Sequence, residues 1–215
     1  MERSGVKWNN MVKIFISNIS ELEDPKENLE LLEGLSSYRK QKIERCLQEK
    51  GRKQNLGAEL LLEQVLKQYG KSADQIVRSE NGKPEIEGFC FNLSHAQDYV
   101  ICVVADSPVG CDIEAIKEAP LRIAERYFSE RENEQLNSAH TIEEKSEMFY
   151  RMWTIKESYL KMTGEGLQVP LKCVEVILGE EIKIYRDGKL EECIVKEKEL
   201  PGYKLSVCLK TQKAV

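Results

Sequence analysis

Hydrophobic and polar positions divide the chain into segments of two periods. Apolar and polar residues alternate from Met11 in MVKIFISNI, which predicts a strand; the ten residues before it carry no pattern and are expected to form a loose extension. Residues 27–50 are charged and helix-permissive, and residues 56–69 place apolar side chains at 56, 60, 61, 65 and 66, a helical spacing with Gly70 as its stop. In IVRSENGKPEI the pair Asn81-Gly82 marks a turn between extended segments. FCFNLSH and YVICVVA then follow as short runs of β-formers, so a small antiparallel sheet is predicted.

Beyond the break at Ser107-Pro108, VGCDIEAI reads as a strand and residues 121–128 as a short helix. Ser129 and Glu132 have capping-box spacing ahead of a further helix, and a longer helix is predicted over 143–162, ended by Thr163-Gly164-Glu165-Gly166. CVEVIL, IKIYRDGKL and YKLSVCLK alternate, with Asp187-Gly188 as a hairpin turn. Helices followed by strands thus occur twice, on either side of residue 106. The expectation is an α+β fold of two similar halves, 1–105 and 106–215, although no internal sequence repeat accompanies it.

Composition narrows the function classes. A chain of 215 residues with 41% hydrophobic and 32% charged positions suits a folded protein in water. A net charge of −5 argues against a surface built throughout to track nucleic acid, while leaving room for a local basic patch. Seven cysteines without a CxxC pair are expected as reduced thiols in the cytoplasm, and two histidines supply a zinc site poorly. Hard, oxygen-liganded metals remain open. The start of the chain has no apolar targeting core, and the longest strongly apolar stretch, 99–105, is too short to span a bilayer, so no membrane role is expected.

Several residues could carry chemistry. Asp112 and Glu114 flank Ile113 on a predicted strand, so both carboxylates share one face, where a divalent cation would relieve their repulsion; two solvated surface charges are the plainer alternative. Glu157 and Lys161 lie one helical turn apart, as a third carboxylate with a base beside it or as an ordinary surface ion pair. Ser94 and His95 end a strand at a polar corner but, being adjacent, point to opposite faces and form no catalytic dyad. Lys83 could reach that corner from its turn. Arg39, Lys42, Arg52 and Lys53 form a cationic cluster of a kind that is usually a solvated helix face.

Taken together, GKP at 82–84, FNLSH at 91–95, GCDIE at 110–114 and WTIKESYLK at 153–161 resemble the 4′-phosphopantetheinyl transferase superfamily. More narrowly, they resemble the monomeric type that activates surfactin synthetase and other peptide synthetases of secondary metabolism. The resemblance implies two related halves with coenzyme A in the cleft between them, the first half binding the coenzyme and the second holding Mg²⁺ and the catalytic groups. It further implies Asp112, Glu114 and Glu157 as Mg²⁺ ligands. Lys161 would lie on the pyrophosphate, Ser94 and His95 on the 3′-phosphate side, and Lys83 near the nucleotide. Arg39, Lys42, Arg52 and Lys53 align more loosely. Glu157 would be the first-ranked base for the acceptor serine, with a metal-activated water and Glu132 as alternatives, the capping-box spacing of Glu132 giving it an equally good structural role. The acceptor would be an apo acyl or peptidyl carrier protein and the enzyme a monomer, without nucleic acid or membrane partners. A Mg²⁺-dependent phosphohydrolase and a non-catalytic carrier-binding module are the competing classes.

Overall fold

The structure, a computed structural model, describes residues 12–166 and 169–211. The expected N-terminal extension and Met11 lie outside the described residues. The alternation that follows becomes β1 (Val12–Asn18), and the charged region divides into α1 (Ser37–Glu44) and α2 (Glu49–Gln68). Helix α2 begins seven residues before the apolar period because Arg52 and Asn55, polar in sequence, are buried against internal partners. Gly70 follows it in the left-handed region, at φ +65°.

The chain continues through β2 (Val77–Arg78), β3 (Pro84–Glu85), β4 (Cys90–Ala96), β5 (Tyr99–Ala105) and β6 (Val109–Ala115). Helices α3 (Leu121–Tyr127), α4 (Glu130–Asn137) and α5 (Ile142–Thr163) come next, then β7 (Val174–Ile177), β8 (Lys183–Arg186), β9 (Lys189–Leu190), β10 (Cys193–Leu200) and β11 (Tyr203–Lys210). Capping boxes start α4 at Ser129 and α5 at Thr141, and Gly164 closes α5 in the left-handed conformation. Strand β10 is an addition to the sequence reading. Its middle, Lys196 to Glu199, is exposed at a sheet edge, so charges replace the apolar alternation.

Two three-stranded sheets carry the architecture, ordered β1-β5-β4 and β10-β11-β6, all antiparallel. They share a connectivity: in each, the first strand in sequence pairs with the last, the last pairs with the one before it, and a long helix lies between. Period two explains the layers. Ile101, Val103 and Ala105 of β5 face Cys111 and Ile113 of β6 and Leu205, Val207 and Leu209 of β11, joining the sheets through one apolar cluster. The alternate residues Val100, Cys102 and Val104 turn outward onto Ala58, Leu62 and Val65 of α2. On the far side Cys208 meets α5, which brings Met152, Ile155 and Tyr159 into a cluster with Phe128, Leu136, Val174 and Val176. The order of layers is helix, sheet, sheet, helix, with β5 buried on both faces.

Candidate functional site

The site grows from the contact of β6 with α5. Gly110, Asp112 and Glu114 alternate onto the face of β6 that looks at α5, while Cys111 and Ile113 enter the inter-sheet core. Gly110 permits the approach: a Cβ there would stand 2.0 Å from the Ser158 carbonyl oxygen and 2.3 Å from the Met162 nitrogen. With backbone against backbone, the Lys161 ammonium donates to Asp112 Oδ1 at 2.6 Å. Ser94 of β4 donates to the same oxygen at 2.8 Å and accepts from Lys161 at 3.0 Å. Asn92, two residues earlier, accepts the Cys111 amide at 3.0 Å and holds β4 alongside β6.

Asp112 is 4% exposed, and its Oδ2 has no hydrogen-bond partner. Burial first, then the Asp112 and Glu157 charges, push the Glu114 carboxyl up to about 7, against the pull of Lys161. Glu157 is also raised, by burial and by Asp112. Burial opposes the charge on Lys161, but Asp112 and Glu157 outweigh it and leave that pKa raised. Three acids therefore sense one another around one lysine. Of the two readings of Glu157 and Lys161, the ordinary surface ion pair is not formed: Lys161 pairs with Asp112 across the helix–strand contact.

A buried carboxylate oxygen without a donor, beside two acids held back from ionising, is the donor set a hard divalent cation accepts. As the side chains stand, Lys161 occupies the other Asp112 oxygen, and among the described residues no three His, Cys, Asp or Glu groups close around a point. The chemistry of these groups fits such a cation.

Other predicted residues flank this cluster. His95 is exposed at its rim but enclosed by enough protein, with the Lys161 and Lys42 charges adding, that its imidazole is pushed down to about 4. Lys83 donates to the Met162 carbonyl at 3.2 Å, one residue from Lys161, while Asn81 donates to Gly164 at 2.9 Å, so the GKP turn clamps the end of α5. Lys42 lies exposed on α1, its ammonium lowered by the surrounding protein and by Arg39 and Arg78.

Three of the expected site residues are held by partners inside the fold. Arg39 is buried in an ion pair with Glu59 at 2.8 Å and a hydrogen bond to Asn55. Arg52 pairs with Asp24 and donates to the Cys46 and Leu47 carbonyls. Both guanidinium groups tie the first half together. Glu132 is fully buried: it accepts the Ser129 and Val176 amides and pairs with Lys156 at 2.7 Å, which leaves it no route to an acceptor hydroxyl. Lys53 pairs with Glu49 one turn away and lines a small recess with Ser20, Lys50 and Gln97.

Sequence reasoning passed over Gly110, Asn92 and Lys156, which shape the site without reaching it. All three stood inside motifs, but their partners are remote in the chain.

Comparison with known proteins supplies independent information. Residues 108–208 match the model of the 4′-phosphopantetheinyl transferase superfamily. The 4′-phosphopantetheinyl transferase gsp of Aneurinibacillus migulanus is 34% identical over 83% of this chain and 77% of its own length. The 4′-phosphopantetheinyl transferase ffp of Bacillus subtilis is 33% identical over 83% of both chains. The 4′-phosphopantetheinyl transferase Sfp of Bacillus subtilis strain 168 is 32% identical over 85% of both.

Proposed function

Because the chain belongs to the 4′-phosphopantetheinyl transferase superfamily and is an enzyme of that activity, we propose that it transfers 4′-phosphopantetheine from coenzyme A to a serine of an apo carrier protein, releasing 3′,5′-adenosine bisphosphate. The observation that carries this reading is the orphaned Asp112 oxygen within the cluster of Glu114, Glu157 and Lys161.

Asp112, Glu114 and Glu157 would hold Mg²⁺, which supplies a Lewis acid to the pyrophosphate. Lys161 places a positive charge where the leaving phosphate gains its own, and the raised pKa keeps that ammonium charged at neutral pH. Glu157 accepts the proton of the attacking serine. Its carboxylate needs a proton affinity close to that of the medium, and burial moves it in that direction. Ser94 holds Asp112 and Lys161 in register through hydrogen bonds to both. Lys42 and Lys83 give this edge its positive character for the 3′-phosphate and nucleotide, and His95, its pKa pushed down to about 4, offers them a neutral hydrogen-bonding imidazole.

The shared connectivity of the two sheets supports a pseudo-twofold pair of halves, 1–105 and 106–215, with coenzyme A seated between them where β4 meets β6 and the end of α5. Both sides of that seat come from one chain, so the active species is a monomer. No described helix is long and apolar enough to cross a membrane; we place the enzyme in the cytoplasm.

The test is incubation of the protein with coenzyme A, Mg²⁺ and a panel of apo acyl and peptidyl carrier proteins, read by intact-protein mass spectrometry. Carrier mass should rise by one phosphopantetheine, and only with Mg²⁺ present. Release of adenosine bisphosphate without an acceptor would point to a hydrolase instead. Activity that falls on dilution together with the light-scattering mass would overturn the monomer.

A further inference from the structure

We infer that the buried pair of Lys156 and Glu132 positions the catalytic face of α5, fixing the rotation that brings Glu157 and Lys161 to Asp112; the inference rests on the transfer activity proposed above. Both side chains are fully buried, and the pair is closed at 2.7 Å. Lys156 also donates to the Leu171 carbonyl at 3.2 Å and to the Val174 carbonyl, and its ammonium lies 5.2 Å from the Phe128 ring centre. Glu132 accepts the Ser129 amide at 2.7 Å and the Val176 amide at 2.8 Å. One ion pair thus binds the start of α4, the middle of α5, the 3₁₀ turn at Leu171–Cys173 and β7.

The helix needs such a tie because its second half, from Thr154 to Met162, is buried almost all round. Ile155 and Tyr159 enter the apolar cluster, Thr154 and Ser158 meet Ser206 and Cys208 of β11, and Lys156 faces β7. Only the stripe of Glu157 and Lys161, about 40° apart, turns toward the site. Apolar contacts are non-directional and tolerate rotation, whereas three converging hydrogen bonds on one ammonium do not. Lys156 precedes Glu157 by one residue, about 100° and 1.5 Å along the axis, so fixing one fixes the other. Opposite it, Gly110 sets how near α5 stands to β6 but presents no side chain that could set its rotation. A buried ion pair seldom adds net stability over apolar residues of similar size, which makes geometry the reason to retain it.

The experiment compares wild type with the double variant Lys156→Met/Glu132→Leu for melting temperature, kcat and KM for coenzyme A. The double variant removes both charges together but leaves the Ser129 and Val176 amides and the Leu171 and Val174 carbonyls without these partners, so it should melt lower than wild type while KM stays unchanged, and kcat is read per folded protein. Its kcat should fall about 10²-fold, the cost of a misplacement near 1 Å in a reacting geometry. A double variant with wild-type kcat overturns the inference. If that variant does not fold, Glu132→Asp withdraws the carboxylate by about one bond length, roughly 1.5 Å, while keeping the charge. It should lower kcat beyond any loss of folded protein; a kcat that merely follows the folded fraction overturns the inference. A wild type without transfer activity removes the functional reading and this inference with it, whereas an active wild type beside a fully active variant removes this inference alone.

Discussion

Substituting Gly110→Ala tests the contact on which the site is built. The added methyl would lie 2.0 Å from the Ser158 oxygen, 2.3 Å from the Met162 nitrogen and 2.9 Å from the Lys161 carbonyl carbon, all backbone atoms of α5 that cannot rotate away. Restoring an ordinary contact of about 3.4 Å at the nearest atom requires helix and strand to separate by more than 1 Å, an overpacking strain that costs roughly 1–3 kcal/mol and here falls at the upper end. For a chain of this size, about 3 kcal/mol lowers the melting temperature by roughly 6–12 °C. The same displacement carries Lys161 away from Asp112, now 2.6 Å distant, and should lower kcat by about 10²-fold. Calorimetry together with the carrier-loading assay measures both. Gly110→Ala with unchanged melting temperature and kcat would refute the claim that this glycine sets the distance between the acids and α5.

Asp112→Asn should bring the Glu114 carboxyl down from about 7, because a like charge is removed, as carboxyl-carbon NMR titration of metal-free protein will show; no movement would assign that shift to burial alone. The folded state raises Glu114 above its ordinary 4.5, so the stability it contributes is present at low pH and lost as pH rises through about 7. Metal-free wild type should therefore lose more stability between pH 4.5 and 8 than Glu114→Gln. His95, lowered from 6.5 to about 4, acts with the opposite sign between those values in both proteins and cancels in the comparison. Lys161→Ala should lower kcat by about 10²- to 10³-fold and destabilise metal-free protein, since buried Asp112 loses its partner; thermal unfolding with and without Mg²⁺ should show the loss recovered by the cation. Asp112→Ala should abolish carrier loading at saturating Mg²⁺, and measurable turnover would end its role as a ligand.

The sequence by itself determined whatever depends on near neighbours. Capping boxes at Ser129 and Thr141, left-handed Gly164, and the strand periods of β4, β5 and β6 are local steric and hydrogen-bonding facts. So are the shared face of Asp112 and Glu114 and the shared turn of Glu157 and Lys161, from which the candidate acids could be named. Tertiary structure decided what the charges do. Arg39 and Arg52 looked in sequence like any solvated ion, and the capping-box spacing of Glu132 gave no sign of its buried lysine partner. Their burial depends on Glu59, Asp24 and Lys156, 20 to 28 residues away in the chain, because an ion leaves water only where a distant partner replaces its hydration. The same holds for Lys161: helix spacing offered Glu157 as its partner, but the bare backbone at Gly110 let β6 approach closely enough for Asp112 to take that place. Strand β10 escaped notice because an edge strand buries little, and apolar alternation is written only where a face leaves water.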